Sequence, residues 1–294
     1  MDIEKNKAVE WIDVARPTAK DLAWLKEKFG LHPVIVDELR GPSTRARAEI
    51  HKNYIYFIYY LPKYDKDDEA SIRTEIDFIV TKNAVTTIHY EPVTEALENF
   101  EIKNEKDSLE LLYRVVEHLI IYEERQLRHV REKVESVCRN LFKGQEKEIL
   151  ERLMYLKRDI SEYRIVVKLQ GPILRSLVAK GKKFWDADDT EAYLNDLAGD
   201  HLKVVEQLED YRETISDFEE TNNQLMNIKI SNVMKTFTAL SFLTFPFVLI
   251  AGIFTMNTRD MPIVNLPGAF WIIVGFMVAS MLVLVLYFRK KDWF

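Results

Sequence analysis

The chain has 294 residues, enough for one large domain or two modest ones, and its formal net charge of −6 with no long basic run argues against a nucleic-acid partner. Its single cysteine, Cys138, rules out an intrachain disulfide and suits a reducing compartment. Hydrophobic residues make up an ordinary 47%, but they are unevenly spread: the first two thirds are rich in charge, whereas the stretch between Lys235 and Arg289 is nearly free of it.

Residues 1–10 are polar and lack an apolar run, so no cleavable signal peptide is expected. Trp11–Val14 reads as a short strand. Thr18 can cap a helix that runs to Phe29 and stops at Gly30, and His32-Pro33 opens a second short helix through Leu39. Tyr54–Tyr60, Ile72–Val80 and Ala84–Tyr90 are β-branched and aromatic runs bounded by Pro, Asp and Asn, the pattern of strands. Together these predict a small α/β domain.

From Ser108 the pattern is helical. Apolar positions from Leu109 to Leu141 recur at three and four residues, with Glu123 in one of the slots, until Gly144 interrupts. A further helix is expected to about Lys180. Asp186, Asp188 and Asp189 precede the next helix start, where negative charge is favourable, and read as a solvated cap rather than a metal cluster. Leu194, Leu197, His201, Val204, Leu208, Tyr211, Ile215, Phe218, Asn222 and Leu225 then form an unbroken seam of the coiled-coil type. No proline or glycine separates it from the next apolar run, which predicts one helix of roughly 60 residues, about 90 Å long.

Thr236–Phe254 carries no charge and is long enough to cross the ~30 Å hydrocarbon core of a bilayer, as is Gly268–Phe288. The linker between them is too short for a domain, so the two spans form a hairpin. Lys229 and Lys235 precede the first, and Arg289, Lys290 and Lys291 follow the second, which puts both termini in the cytosol and the linker outside. The expected product is an α+β membrane protein in three regions. Residues 1–107 form a cytosolic α/β domain and 108–230 a long-helix bundle and stalk; 231–294 form the membrane region, its spans at about 236–254 and 268–288. The six histidines show no zinc-type spacing, and no HExxH, phosphate-cradling glycine loop or nucleophile elbow occurs, so an enzymatic role has no support.

The run Met234–Pro262, MKTFTALSFLTFPFVLIAGIFTMNTRDMP, resembles the pore helix and signature loop of the CorA family of divalent-cation transporters. The tail Tyr287–Phe294, the segment Phe29–Leu39 and the Tyr54–Pro62 strand are similar to the same family, so the likeness extends over essentially the whole chain. One departure stands out: the family's Gly-Met-Asn is Thr255-Met256-Asn257 here, and Thr adds a Cβ where glycine allows close approach and positive φ. The resemblance implies a homopentamer in the cytoplasmic membrane. The first span of each subunit would line a central path, the second would face lipid, and transport would be passive without an organic cofactor.

Mg²⁺ gives up its water reluctantly, so a ring of Asn257 carbonyl oxygens, shaped by Thr255 and Met256, could select it through its hydration shell; Asn257 would serve equally as a turn residue between spans. Along the first span Met234, Thr238, Ser241, Phe245, Val248 and Gly252 share one helical face, with Phe237 near its cytosolic end. That face suits either pore lining or helix packing. By resemblance Glu38 and Asp196 match positions that hold regulatory Mg²⁺ in some members, although either acid could be a solvated surface group. The leading expectation is transport of Mg²⁺, with Co²⁺ or Ni²⁺ as further cargo. The altered motif leaves open Zn²⁺ or a monovalent ion, and a non-conducting, membrane-anchored sensor or scaffold is the rival from another class.

Overall fold

The computed structural model describes all residues except 7, 44, 66–69, 92–93, 98–99, 257–267 and 292–294. Six strands form one sheet: β1 (Asp2–Lys5), β2 (Glu10–Ala15), β3 (Ala48–Ile50), β4 (Ile55–Asp65), β5 (Ala70–Val80) and β6 (Ala84–His89), in the order β1-β2-β6-β5-β4-β3. Only β2 and β6 pair in parallel, and a parallel pair requires a crossover between its strands. That crossover contains α1 (Ala19–Phe29) and α2 (Pro33–Glu38) together with β3 to β5.

The punctuation read from the sequence is used. Thr18 caps α1 in a reciprocal capping box with Asp21, and Gly30 ends it at φ 65°, a conformation glycine adopts without steric cost. His32 caps α2, with Pro33 in its first turn. Two elements had no readable signal. β1 is wholly exposed and pairs only with β2, so it has no buried alternate positions, and β3 is three residues long.

The helices that follow α3 (Thr94–Leu97) are long: α4 (Ser108–Asn140), α5 (Glu146–Trp185), α6 (Thr190–Thr255) and α7 (Ala269–Lys290). Helix α5 runs five residues past the expected stop at Lys180, to Trp185, because Phe184 and Trp185 are buried and keep the last turn packed. Asp186 then reverses the chain at φ 52°. With α1, α2, α4 and α5 packed around the sheet, every residue of β4 from Ile55 to Leu61 is buried, and Phe57 stacks on Phe78 at 4.6 Å. Asp159 on α5 ties three elements together by accepting from the Ser71 amide and hydroxyl on β5 (2.9 and 2.8 Å) and from Lys133 on α4 (3.0 Å).

The chain divides into two compact units, Met1–Glu219 and Glu220–Phe294. The change from strands to long helices near residue 107 therefore falls inside the first unit. The seam on α6 is used as its spacing predicts, with Leu194, Leu197, Val204, Leu208, Ile215 and Asn222 all buried.

Candidate ion path and acidic clusters

In the second unit two helices, α6 and α7, are long and apolar enough to cross a membrane. Beyond residue 230, the residues of α6 withdrawn from solvent are Thr238 and the row Ala239, Leu243, Phe247, Ile250 and Phe254, which recurs at spacings of four and three. On α7 the withdrawn row includes Ile273, Met277, Ser280, Leu284 and Phe288, and the Phe242 and Phe288 rings meet at 6.3 Å between centroids. At about 100° per residue, the face read from sequence as pore-lining is centred about 170° around the helix from this withdrawn face. It is accordingly open: Phe237 is 62% exposed, Phe245 76% and Val248 69%, with Met234, Ser241 and Gly252 exposed and Thr238 half-buried.

The hydroxyls on this stretch point their hydrogens into the helix. Thr238 donates to the Met234 carbonyl at 2.8 Å and Ser241 to the Phe237 carbonyl at 2.9 Å. Such back-bonding leaves the hydroxyl oxygen outward as an acceptor. A hydrated cation turns the hydrogens of its waters outward, so outward acceptors match it. The Gly252 carbonyl accepts from the Thr255 hydroxyl at 2.8 Å. Thr255 and Met256 are exposed at the end of α6, whereas Asn257 lies outside the described residues.

Glu38 and Asp196 have separate partners within the chain. Glu38 accepts from the Ser43 hydroxyl at 3.0 Å and is paired with Arg47, and Asp196 accepts from the Tyr113 hydroxyl at 2.7 Å. Among the described residues no group of three or more His, Cys, Asp or Glu is arranged to hold a metal ion.

Two buried acidic centres escaped the sequence reading. On β5, Glu75 accepts from the Ser43 amide at 2.9 Å, and Asp77 accepts from Tyr56 at 3.0 Å and from Tyr90 at 2.6 Å. Burial pushes both carboxyls up to about 7, against the opposing pull of these donors. Glu123 on α4 is fully buried and pushed up to about 8 by burial, although Gln170 donates to it at 2.6 Å. The signals were there: two acids inside an apolar strand run, and a glutamate in a core slot of a helix.

The family model described as CorA-like Mg2+ transporter protein matches residues 6–290, nearly the entire chain. The chain belongs to this family. Among curated relatives, the cobalt/magnesium transport protein CorA of Thermotoga maritima is 24% identical, the match covering 96% of this chain and 83% of that protein. The protein of the same name from Methanocaldococcus jannaschii is also 24% identical, over 96% of this chain and 90% of its own. The complete structure of the CorA magnesium transporter from Methanocaldococcus jannaschii superposes with a TM-score of 0.82 at 22% identity, covering 99% of this chain and 93% of that one. The whole-chain likeness shows the CorA fold, an α/β domain followed by long helices and two C-terminal spans. As a member of the CorA family the protein is a membrane transporter of divalent cations and not an enzyme.

Proposed function

We propose that the protein is a homopentameric channel of the cytoplasmic membrane that carries Mg²⁺, and with it Co²⁺ or Ni²⁺, into the cytosol down the electrochemical gradient. Five copies of α6 surround the path with the face Met234, Phe237, Thr238, Ser241, Phe245, Val248 and Gly252. Asn257, flanked by Thr255 and Met256, forms the outer oxygen ring. Both termini are cytosolic, with Lys235, Arg289, Lys290 and Lys291 at that side of the bilayer.

The observation that carries this reading is the opposition of the two faces on α6. One is taken by the chain itself, and the other leaves Phe245 and Val248 open, to be covered by further copies. The exposed face of α7 supports the same assignment: it is apolar, as lipid requires, and Ser280 lies on its withdrawn side, whereas the open face of α6 offers Thr238 and Ser241. Met234, Phe237 and Phe245 supply apolar constrictions that stop ions by dewetting when closed.

Glu38 and Asp196 complete the proposal as a regulatory Mg²⁺ pair across the subunit boundary. Metal binding there requires the Glu38–Arg47 pair to open.

Purified protein in liposomes tests the reading through influx of Mg²⁺, Co²⁺, Ni²⁺, Zn²⁺ and Na⁺. Mg²⁺ influx is expected, and Asn257→Ala should reduce it to the level of empty vesicles while the protein still elutes as a pentamer. Asp196→Ala should weaken inhibition of that influx by Mg²⁺ on the cytosolic side, and unchanged inhibition removes the regulatory role. Influx of Na⁺ or Zn²⁺ alone would reassign the cargo. No flux of any ion would favour a membrane-anchored sensor.

A further inference from the structure

Helices α5 and α6 run side by side in the first unit, linked by a ladder of ion pairs: Lys157–Glu219 at 2.7 Å, Arg164–Glu209 at 2.5 Å, Lys168–Glu209 at 3.6 Å and Lys182–Glu191 at 3.2 Å. Exposed pairs of this kind contribute little stability, but they report register. Arg175 belongs to the same row of α5, and the antiparallel register sets it opposite the turn of α6 from Ala198 to Leu202. No acidic partner meets it there among the described residues. Instead the helices border an open groove of about 480 Å³, to which Lys168, Gly171, Leu174, Arg175, His201, Leu202 and Val205 contribute.

Gly171 shapes this gap. The point its missing Cβ would occupy lies 3.5 Å from Arg175 Nη1 and 3.7 Å from His201 Nε2, so a ligand atom against the bare backbone reaches both nitrogens. His201 is only 5% exposed and borders the gap through Nε2, the nitrogen nearest Gly171. The volume falls within the range of small-molecule sites, where an apolar lining is joined by a few convergent polar groups.

We propose that this gap binds an organic phosphate of nucleoside-monophosphate size. Arg175, Lys168 and His201 take its anionic end, and Leu174, Leu202 and Val205 its apolar body. The electrostatics agree. Burial pushes His201 down to about 4, and the Arg175 charge adds to that, so the imidazole is neutral and can donate from Nε2 while Arg175 carries the positive charge. An anion supplies what Glu209 and Glu191 supply on the neighbouring rungs.

The test is calorimetric titration of the full chain in detergent micelles with AMP and, separately, with inorganic phosphate. AMP is expected to bind, and phosphate about tenfold more weakly or less, because it leaves the apolar wall unused. Arg175→Ala, at an exposed position that should not disturb folding, is expected to weaken AMP by about tenfold or more. Leu202→Glu places a carboxylate opposite Arg175 and should abolish binding. The proposal is overturned if AMP gives no binding heat, as when an acidic side chain of a second copy fills the gap. It is overturned equally if Arg175→Ala binds AMP as tightly as the unaltered protein, or if phosphate binds as tightly as AMP. Because the readout is binding and not transport, it stands apart from the ion-path assignment.

Discussion

The two compact units dispose of their aromatic and aliphatic side chains in opposite ways. In Met1–Glu219, Tyr56, Phe57, Tyr59 and Tyr60 on β4 have no exposed surface, because the same chain folds α1, α2, α4 and α5 around them. In Glu220–Phe294, Phe245, Trp271 and Phe276 are at least 65% exposed, and among the described residues the apolar rows withdrawn lie on the facing sides of α6 and α7. Globular monomers rarely leave such continuous apolar surface open. The first unit is finished by its own sequence. The second leaves its apolar faces open, and on the proposed function lipid and further copies cover them.

Paired substitutions sharpen that contrast. Between two helical glycines the larger expected loss of stability is at Gly181, where a Cβ would lie 2.6 Å from Leu194 Cδ1 and 3.2 Å from Trp185 Cζ3. Both neighbours are buried, so Gly181→Ala should destabilise the fold by about 1–3 kcal/mol from overpacking, of which alanine's helix preference returns about 1 kcal/mol. Gly252→Ala meets nothing within 4 Å, so alanine's helix preference is unopposed: thermal stability should hold or rise by up to about 1 kcal/mol while ion flux is altered. Equal stability losses at the two glycines would erase the distinction between the units.

A pH-dependent effect separates the buried acids of the first unit from solvent-exposed ones. A carboxyl raised above its ordinary 4.5 holds its proton more tightly in the folded state. The contribution of Glu123 is therefore complete below 4.5 and is lost as the pH rises toward about 8, and those of Glu75 and Asp77 are lost toward about 7. Stability should decline from about pH 5 to about pH 8, by at most about 1.4 kcal/mol per pH unit for each proton. Glu123→Gln, which keeps the shape of the neutral acid, should flatten that decline in thermal unfolding. An unchanged slope would mean that Glu123 is not held protonated.

Local chemistry is what the sequence exposed. Thr18, Gly30 and Pro33 set helix ends, the seam from Leu194 to Asn222 set a buried row, and charge-free length set the spans. Helical spacing alone puts Phe245 and Val248 opposite Leu243 and Phe247, but which of the two faces stays open was not legible. Tertiary arrangement was not legible. β1 carries no apolar alternation, and Glu75, Asp77 and Glu123 became notable only when the fold removed them from water. The missing rung at Arg175 required the register of α5 against α6, which no single-helix pattern contains. Glu38 looked available on the sequence, and the structure gives it to Ser43 and Arg47.

The central claim is that the face of α6 turned away from α7 borders the ions. In a Cys138→Ser background, single cysteines at Phe245 and Val248 can be compared with cysteines at Leu243 and Phe247 by adding a charged thiol reagent to conducting proteoliposomes. Modification is expected to block Mg²⁺ influx at Phe245→Cys and Val248→Cys and to leave Leu243→Cys and Phe247→Cys conducting. Block at Leu243→Cys and Phe247→Cys, with Phe245→Cys and Val248→Cys indifferent, would contradict the account and turn the helix to its other side.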